Sequence, residues 1–221
     1  MSLLLQLTPL ADAPAQIAWL DESERVRLAE ITDATRAAQY IAGHCLARQL
    51  AAELSGGGAP EWQLVAGNDG RRRLQHARLA PLFASISHAH DGLAVAVGFH
   101  PLGVDREAAG QARDWLSLAR AMFSRHEVQA LEAAPEPMRE FHFLATWTLK
   151  EAWAKRSGRG LQRQAARRCT AAACGPSQAE AWTWRLPDGG SLALAASVGA
   201  TVVARGATGE VRPWRYLEAA D

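Results

Sequence analysis

The sequence predicts an α+β protein made of two pseudo-symmetric halves, residues 1–100 and 101–221, whose antiparallel sheets pack against each other. Three observations carry that expectation. A stretch of helical periodicity precedes a run of short strand-like segments, and this order occurs twice along the chain. "GLAVAVG" at 92–98 is echoed by "SLALAAS" at 191–197. No linker rich in proline or serine separates the halves, so two such units pack closely, and the seam between them is the natural place for a cleft.

Each element has its own local reason. "MSLLLQLTPLADAPAQIAWL" reads as a strand and loop: it has no basic leader, and Pro9, Asp12 and Pro14 break it far short of the roughly 20 apolar residues that span a bilayer. From 21 to 54, Val26, Ala29, Ile41, Leu46 and Leu50 recur among charges at helical spacing, and "LSGGGAP" stops the run. Residues 61–74 read as strand, turn and strand, with Asn68, Asp69 and Gly70 making the turn. Residues 83–107 give three short strands punctuated by Gly92 and Pro101. A second helical region covers about 115–156, broken by "AAPEPM" at 133–138. Residues 162–182 read as a mobile, alanine-rich connection, and the tail after them alternates like antiparallel strands.

Composition narrows the function. Hydrophobic residues at 48% and charged residues at 21% are globular values, which excludes disordered, collagen-like and membrane classes. A net charge of +1 argues against nucleic-acid binding through a broad electrostatic footprint, while leaving room for a local basic pocket. Three cysteines without paired spacing give no disulfide framework and no zinc site, and point to a reducing cytoplasm. The P-loop, dinucleotide and GxSxG patterns are absent.

Several residues have chemistry to offer, each with two readings. Asp105 and Glu107, spaced i, i+2, turn both carboxylates to one face of a strand. They are either a solvated edge or a place where a hard cation such as magnesium relieves the repulsion. In "WTLKEAWAKRSGRGL" (147–161), Glu151 shares a helix face with Trp147, Thr148 and Lys155. A surface Glu–Lys pair is one reading. Phe141, Phe143, Leu144, Trp147 and Trp153 favour a largely buried helix, on which a charge needs a partner or a metal. His88 and His90 follow a strand as structural histidines or ligands, and Arg71, Arg72 and Arg73 at a turn are solvated charge or an anion site.

Taken in order, these segments resemble the Sfp-type 4'-phosphopantetheinyl transferases. "PLGVDRE" (101–107) is similar to that family's Gly-(Ile/Val)-Asp-x-Glu motif, "FSRHEVQAL" (123–131) to its Phe-Ser-x-x-Glu segment, and 147–161 to its Trp-(Thr/Ser)-x-Lys-Glu-x-x-x-Lys-x-x-Gly-x-Gly-Leu signature. "SISH" (85–88) resembles its Asn-x-Ser-His stretch and "AGHCLARQL" (42–50) its Gly-(five)-Arg helix. The chain departs from the pattern at Arg72, where the family's turn has proline, at His44 in place of a common arginine, and at Ser85 in place of asparagine. One extra residue stands between His88 and Gly92; His88 matches the Ser-His pair and is preferred to His90.

The resemblance implies the phosphopantetheinyl-transferase fold and an enzyme that moves phosphopantetheine from coenzyme A to a serine of an apo acyl or peptidyl carrier protein. It implies that Asp105, Glu107 and Glu151 hold magnesium on the coenzyme A pyrophosphate, and that Lys155 touches that pyrophosphate. Arg48, Arg71 and His88, joined by Arg36, would contact the adenosine 3'-phosphate end. Glu151 would double as general base and Glu127 would order the site. A cytoplasmic monomer is expected, with no membrane and no nucleic-acid partner. Two other functions fit the same residues: a magnesium-dependent nucleotide pyrophosphate hydrolase, and a carrier-binding module that transfers nothing.

Overall fold

The leading leucine run forms β1 (Ser2–Pro9) in a computed structural model that describes residues 2–110 and 113–218. The helical region after it is two helices, α1 (Glu22–Ala29) and α2 (Ala34–Ser55). Their break is set by caps. The Asp21 carboxylate accepts the Glu24 N–H while Glu24 accepts the Asp21 N–H, and Asp33 accepts the Arg36 N–H at the start of α2. The strand-turn-strand and three-strand expectations are met by β2 (Gln63–Ala66), β3 (Arg72–Gln75), β4 (Leu82–Ala89), β5 (Gly92–Gly98) and β6 (Gly103–Glu107).

The second helical region is α3 (Trp115–Met122), α4 (Arg125–Ala133) and α5 (Glu136–Ser157). Residues 162–182 are not the loose connection expected. They form α6 (Arg163–Arg168) and β7 (Cys169–Ala173), because the buried Lys150 ammonium donates to the Ala166 and Cys169 carbonyls and fixes the segment from beneath. The tail supplies β8 (Ala181–Arg185), β9 (Ser191–Ala195), β10 (Thr201–Arg205) and β11 (Val211–Glu218).

Among the described residues these strands make two sheets, ordered β10-β1-β5-β4-β3-β2 and β6-β9-β8-β11-β7. The echoed segments are β5 and β9, each interior to its sheet and buried at every residue. A strand covered on both faces reads as a continuous apolar run, which accounts for the echo. Alternation assigns the layers. Leu93, Val95 and Val97 face Ala42, Leu46 and Leu50 of α2. Ala94 and Ala96, with Leu3 and Leu5, face Val104, Leu192 and Leu194 of the other sheet. Ala193 and Ala195 face Leu149 and Ala152 of α5. The stack is therefore helix, sheet, sheet, helix.

The division expected at residue 100 is crossed by one strand. β10 pairs with β1 in parallel, Ser2 opposite Thr201 and Gln6 opposite Arg205, whereas the tail was expected to pair only antiparallel. Arg205 pins this crossover through an ion pair with Glu53 of α2. Where β6 meets α5, a Cβ at Gly103 would overlap the Ala152 carbonyl oxygen. Glycine here lets the helix lie directly on the strand, which brings Glu151 and Lys155 down to Asp105.

Candidate active site

The site lies where β4 meets β6. There two serines on one face of β4 take the place of a backbone ladder. Ser85 Oγ accepts the Val104 N–H at 2.9 Å and Ser87 Oγ accepts the Arg106 N–H at 3.1 Å. The Ser87 hydroxyl in turn donates to Asp105 Oδ1 at 2.9 Å. Lys155, reaching across from α5, donates to the same Oδ1 at 2.7 Å and to the Val104 carbonyl at 3.0 Å. Asp105 Oδ2 is buried and has no hydrogen-bond partner. A buried carboxylate oxygen without a partner is costly unless a ligand or ion completes it.

Glu107 and Glu151 join this group electrostatically. Burial first, then the Asp105 charge, pushes Glu107 above the ordinary carboxylate range, against the pull of Arg113, Lys155 and a hydrogen bond from Trp147. Glu151 is pushed up by burial and then by Asp105, with Lys155 opposing and Glu107 adding to the rise. Three carboxylates against the Lys155 ammonium and the Arg113 guanidinium, 3.5 Å from Glu107, still leave an excess of negative charge on acceptor-only oxygens, the donor set of a hard cation. Among the described residues no three His, Cys, Asp or Glu side chains are already drawn into a metal cage.

Beside the carboxylates, at the start of α2, is a polar cavity of about 380 Å³ lined by Arg36, Tyr40, His44, Arg72 and His88 among others. His88, near the end of β4, connects the two places. Burial, then Lys155 and Arg36, hold its imidazole below the usual histidine range, while Asp105 opposes. It is therefore neutral at neutral pH and can donate one N–H.

Under the cavity floor lies a buried ionic network. Glu24 takes Arg48 Nη2 at 2.5 Å and His44 Nδ1 at 2.6 Å. Burial alone would raise the Glu24 carboxyl, but the hydrogen bonds from His44, Arg48 and the Asp21 backbone outweigh it and hold the pKa at about 2, below an ordinary 4.5. A depressed carboxyl stabilises the fold above its unfolded pKa and loses that contribution as pH falls through the folded value. Glu24→Ala is expected to cost about 3–5 kcal/mol at neutral pH, because Arg48 is left buried and unpaired. Urea unfolding should show the difference between variant and wild type shrinking as pH falls from 4.5 towards 2.

The residues expected from the sequence do not all meet. Asp105, Glu107, Glu151, Lys155, His88 and Arg36 gather along the seam and its cavity. Arg48 does not reach the cavity surface: it is 0% exposed and is taken up by Glu24 and the His44 carbonyl. Arg71 clamps the end of α5, donating to the Arg156 carbonyl at 2.7 Å and the Ser157 carbonyl at 2.9 Å. Glu127 stands apart from the carboxylate cluster. It closes the cap of α4, pairs with Lys150 at 2.8 Å and accepts the Ala171 N–H at 3.2 Å. His90 turns the chain between β4 and β5 at φ 49°, its carbonyl held by Gln39, and is not among the residues lining the cavity. Sequence reasoning missed Ser87 and Glu24, although both left a signal. Ser85 and Ser87 share a strand face, and Asp21 and Glu24 have capping-box spacing.

Residues 101–190, which carry Asp105, Glu107, Glu151 and Lys155, match the family described as the 4'-phosphopantetheinyl transferase superfamily. The chain is 27% identical over 166 residues to the 4'-phosphopantetheinyl transferase psf-1 of Bacillus pumilus, covering 71% of this chain and 68% of that protein. It is 30% identical over 132 residues to the 4'-phosphopantetheinyl transferase AcpT of Salmonella typhimurium, covering 59% of this chain and 64% of that one. It thus spans about two thirds of the length of the curated relatives it matches. With the α+β fold of two stacked sheets and the signature residues gathered at their seam, the chain is similar to the 4'-phosphopantetheinyl transferases both in sequence and in the residues it brings together.

Proposed function

We propose that the protein transfers the 4'-phosphopantetheinyl group of coenzyme A to a serine hydroxyl of a carrier protein and releases adenosine 3',5'-bisphosphate. The observation that carries this reading is the juxtaposition at the seam. A carboxylate cluster with a buried, unpartnered oxygen stands beside a cationic cavity, and His88 and Lys155 lie between them. A nucleotide diphosphate needs both features, a place for its pyrophosphate and a cationic place for its phosphorylated ribose.

Asp105, Glu107 and Glu151 would hold magnesium, an ion usually bound by one or two carboxylates together with substrate phosphates, so an open donor set suits it. Bound there, the ion would neutralise the diphosphate and so ease attack on phosphorus. The chain's own residues do the rest. The serine oxygen forms a bond to the β-phosphorus, and the bond from that phosphorus to the bridging oxygen breaks. Glu151, held beside Asp105 and Lys155 on the inward face of α5, takes the serine proton. Lys155 and the N–H of neutral His88 offset charge on the departing phosphate. Both walls of the seam come from one chain, so a monomer suffices. No helix among the described residues is long and apolar enough to cross a membrane.

Incubating purified apo carrier proteins with coenzyme A, with magnesium or with chelator, and weighing the intact carriers is the direct test. The expected result is a magnesium-dependent gain of one phosphopantetheine that disappears when the acceptor serine is replaced. Consumption of coenzyme A with no gain on any carrier would instead identify a hydrolase. Neither gain nor consumption would leave a binding module or a carrier outside the set tested.

A further inference from the structure

We infer that Arg72 is a further phosphate-binding residue of the cavity, held in aim by a relay that runs from Glu24 through His44. The inference rests on the reading of the cavity as the seat of the nucleotide 3'-phosphate, and adds to it residues for which the family's pattern has proline and arginine.

Two distances fix the relay. Arg72 Nη1 lies 3.0 Å from His44 Nε2, and a guanidinium has only donors, so Nε2 is the accepting nitrogen and the imidazole proton sits on Nδ1. That proton points at Glu24 Oε1, 2.6 Å away. Glu24 is itself immobile, because its other oxygen takes Arg48 Nη2 and the Asp21 N–H. The Tyr40 ring covers the imidazole with centroids 4.0 Å apart. A buried anchor thus orients an exposed guanidinium. An unrestrained arginine would lose much of its rotamer freedom on binding, and the relay removes part of that loss beforehand.

The charges around the cavity leave this group available. Arg27 is compensated by Glu30 at 2.6 Å, and Asp33 is spent on the α2 cap. No described carboxylate forms an ion pair with Arg36 or Arg72, and both line the cavity. Two guanidinium groups without a carboxylate ion partner, with a neutral histidine beside them, match a phosphate monoester, which arginine recognises through paired charge-assisted hydrogen bonds.

The test is calorimetry of the full chain with coenzyme A and with 3'-dephospho-coenzyme A, both with magnesium. Arg72→Ala is expected to weaken coenzyme A roughly tenfold and to leave the dephospho compound unchanged. His44→Phe, which keeps a ring against Tyr40 but removes the acceptor, should produce the same selective loss, and the double variant should be no worse than Arg72→Ala. Should the buried His44 change impair folding, ring nitrogen NMR of the wild type replaces it: a proton on Nδ1 supports the relay and one on Nε2 overturns it. Equal weakening of both compounds by Arg72→Ala, or weakening of neither, overturns the phosphate role. A wild type that binds both compounds equally overturns this inference alone. One that binds neither overturns the transferase reading with it.

Discussion

Asp105→Ala is expected to lower the single-turnover transfer rate at least ~100-fold and to abolish the magnesium dependence of coenzyme A binding. The size follows from position: partners one step removed from a metal are worth about 10–100-fold in affinity or activity, and Asp105 would bind the ion directly. It also has an oxygen, Oδ2, that no described group satisfies. The fold should survive the change. Lys155, a third exposed along its side chain, can turn to water, and the Ser87 hydroxyl keeps its contact with the Arg106 N–H. Asp105→Asn separates shape from charge, since it can still accept from Ser87 and Lys155 yet cannot supply a carboxylate. Calorimetry with and without chelator reads the effect. Unchanged magnesium-dependent affinity in both variants would remove Asp105 from the metal site.

Glu151→Gln is expected to slow transfer by about 10²–10⁴-fold, the usual worth of a positioned general base. The pH profile supplies a signature that a structural role would lack. Glu151 must be ionised to take a proton; in the metal-free protein burial with the Asp105 charge holds its pKa above the ordinary 4.5, and a bound cation pulls it back down. The wild-type rate should therefore fall as pH drops through the carboxyl's pKa in the metal-loaded enzyme, and this limb should vanish in the glutamine variant. A variant with the wild-type single-turnover rate would end the assignment.

The parts of the fold and site that could be read from sequence are those fixed by local period. Strand alternation puts Asp105 and Glu107 on one face, and helical spacing aligns Glu151 with Lys155. Glycine at 103 then lets strand and helix touch. What escaped depends on partners distant in sequence. Arg48 and Glu127 occupy recognisable motif positions, but their roles are decided by Glu24 and by Ala171 and Lys150, which local pattern cannot pair with them. The parallel union of β1 with β10 was hidden for the same reason, because alternation shows that a strand exists and not what lies beside it.

That union also sets an order of events during synthesis. Residues 2–6 leave the ribosome well before their outer neighbours, residues 201–205. Until those are made, a leucine-rich strand offers one open row of N–H and C=O groups, a template for pairing with another chain. The late strand acts as a shield. A nascent or truncated chain that stops after β9 would carry every carboxylate of the seam and still be prone to self-association, so chaperone demand should peak just before β10 emerges.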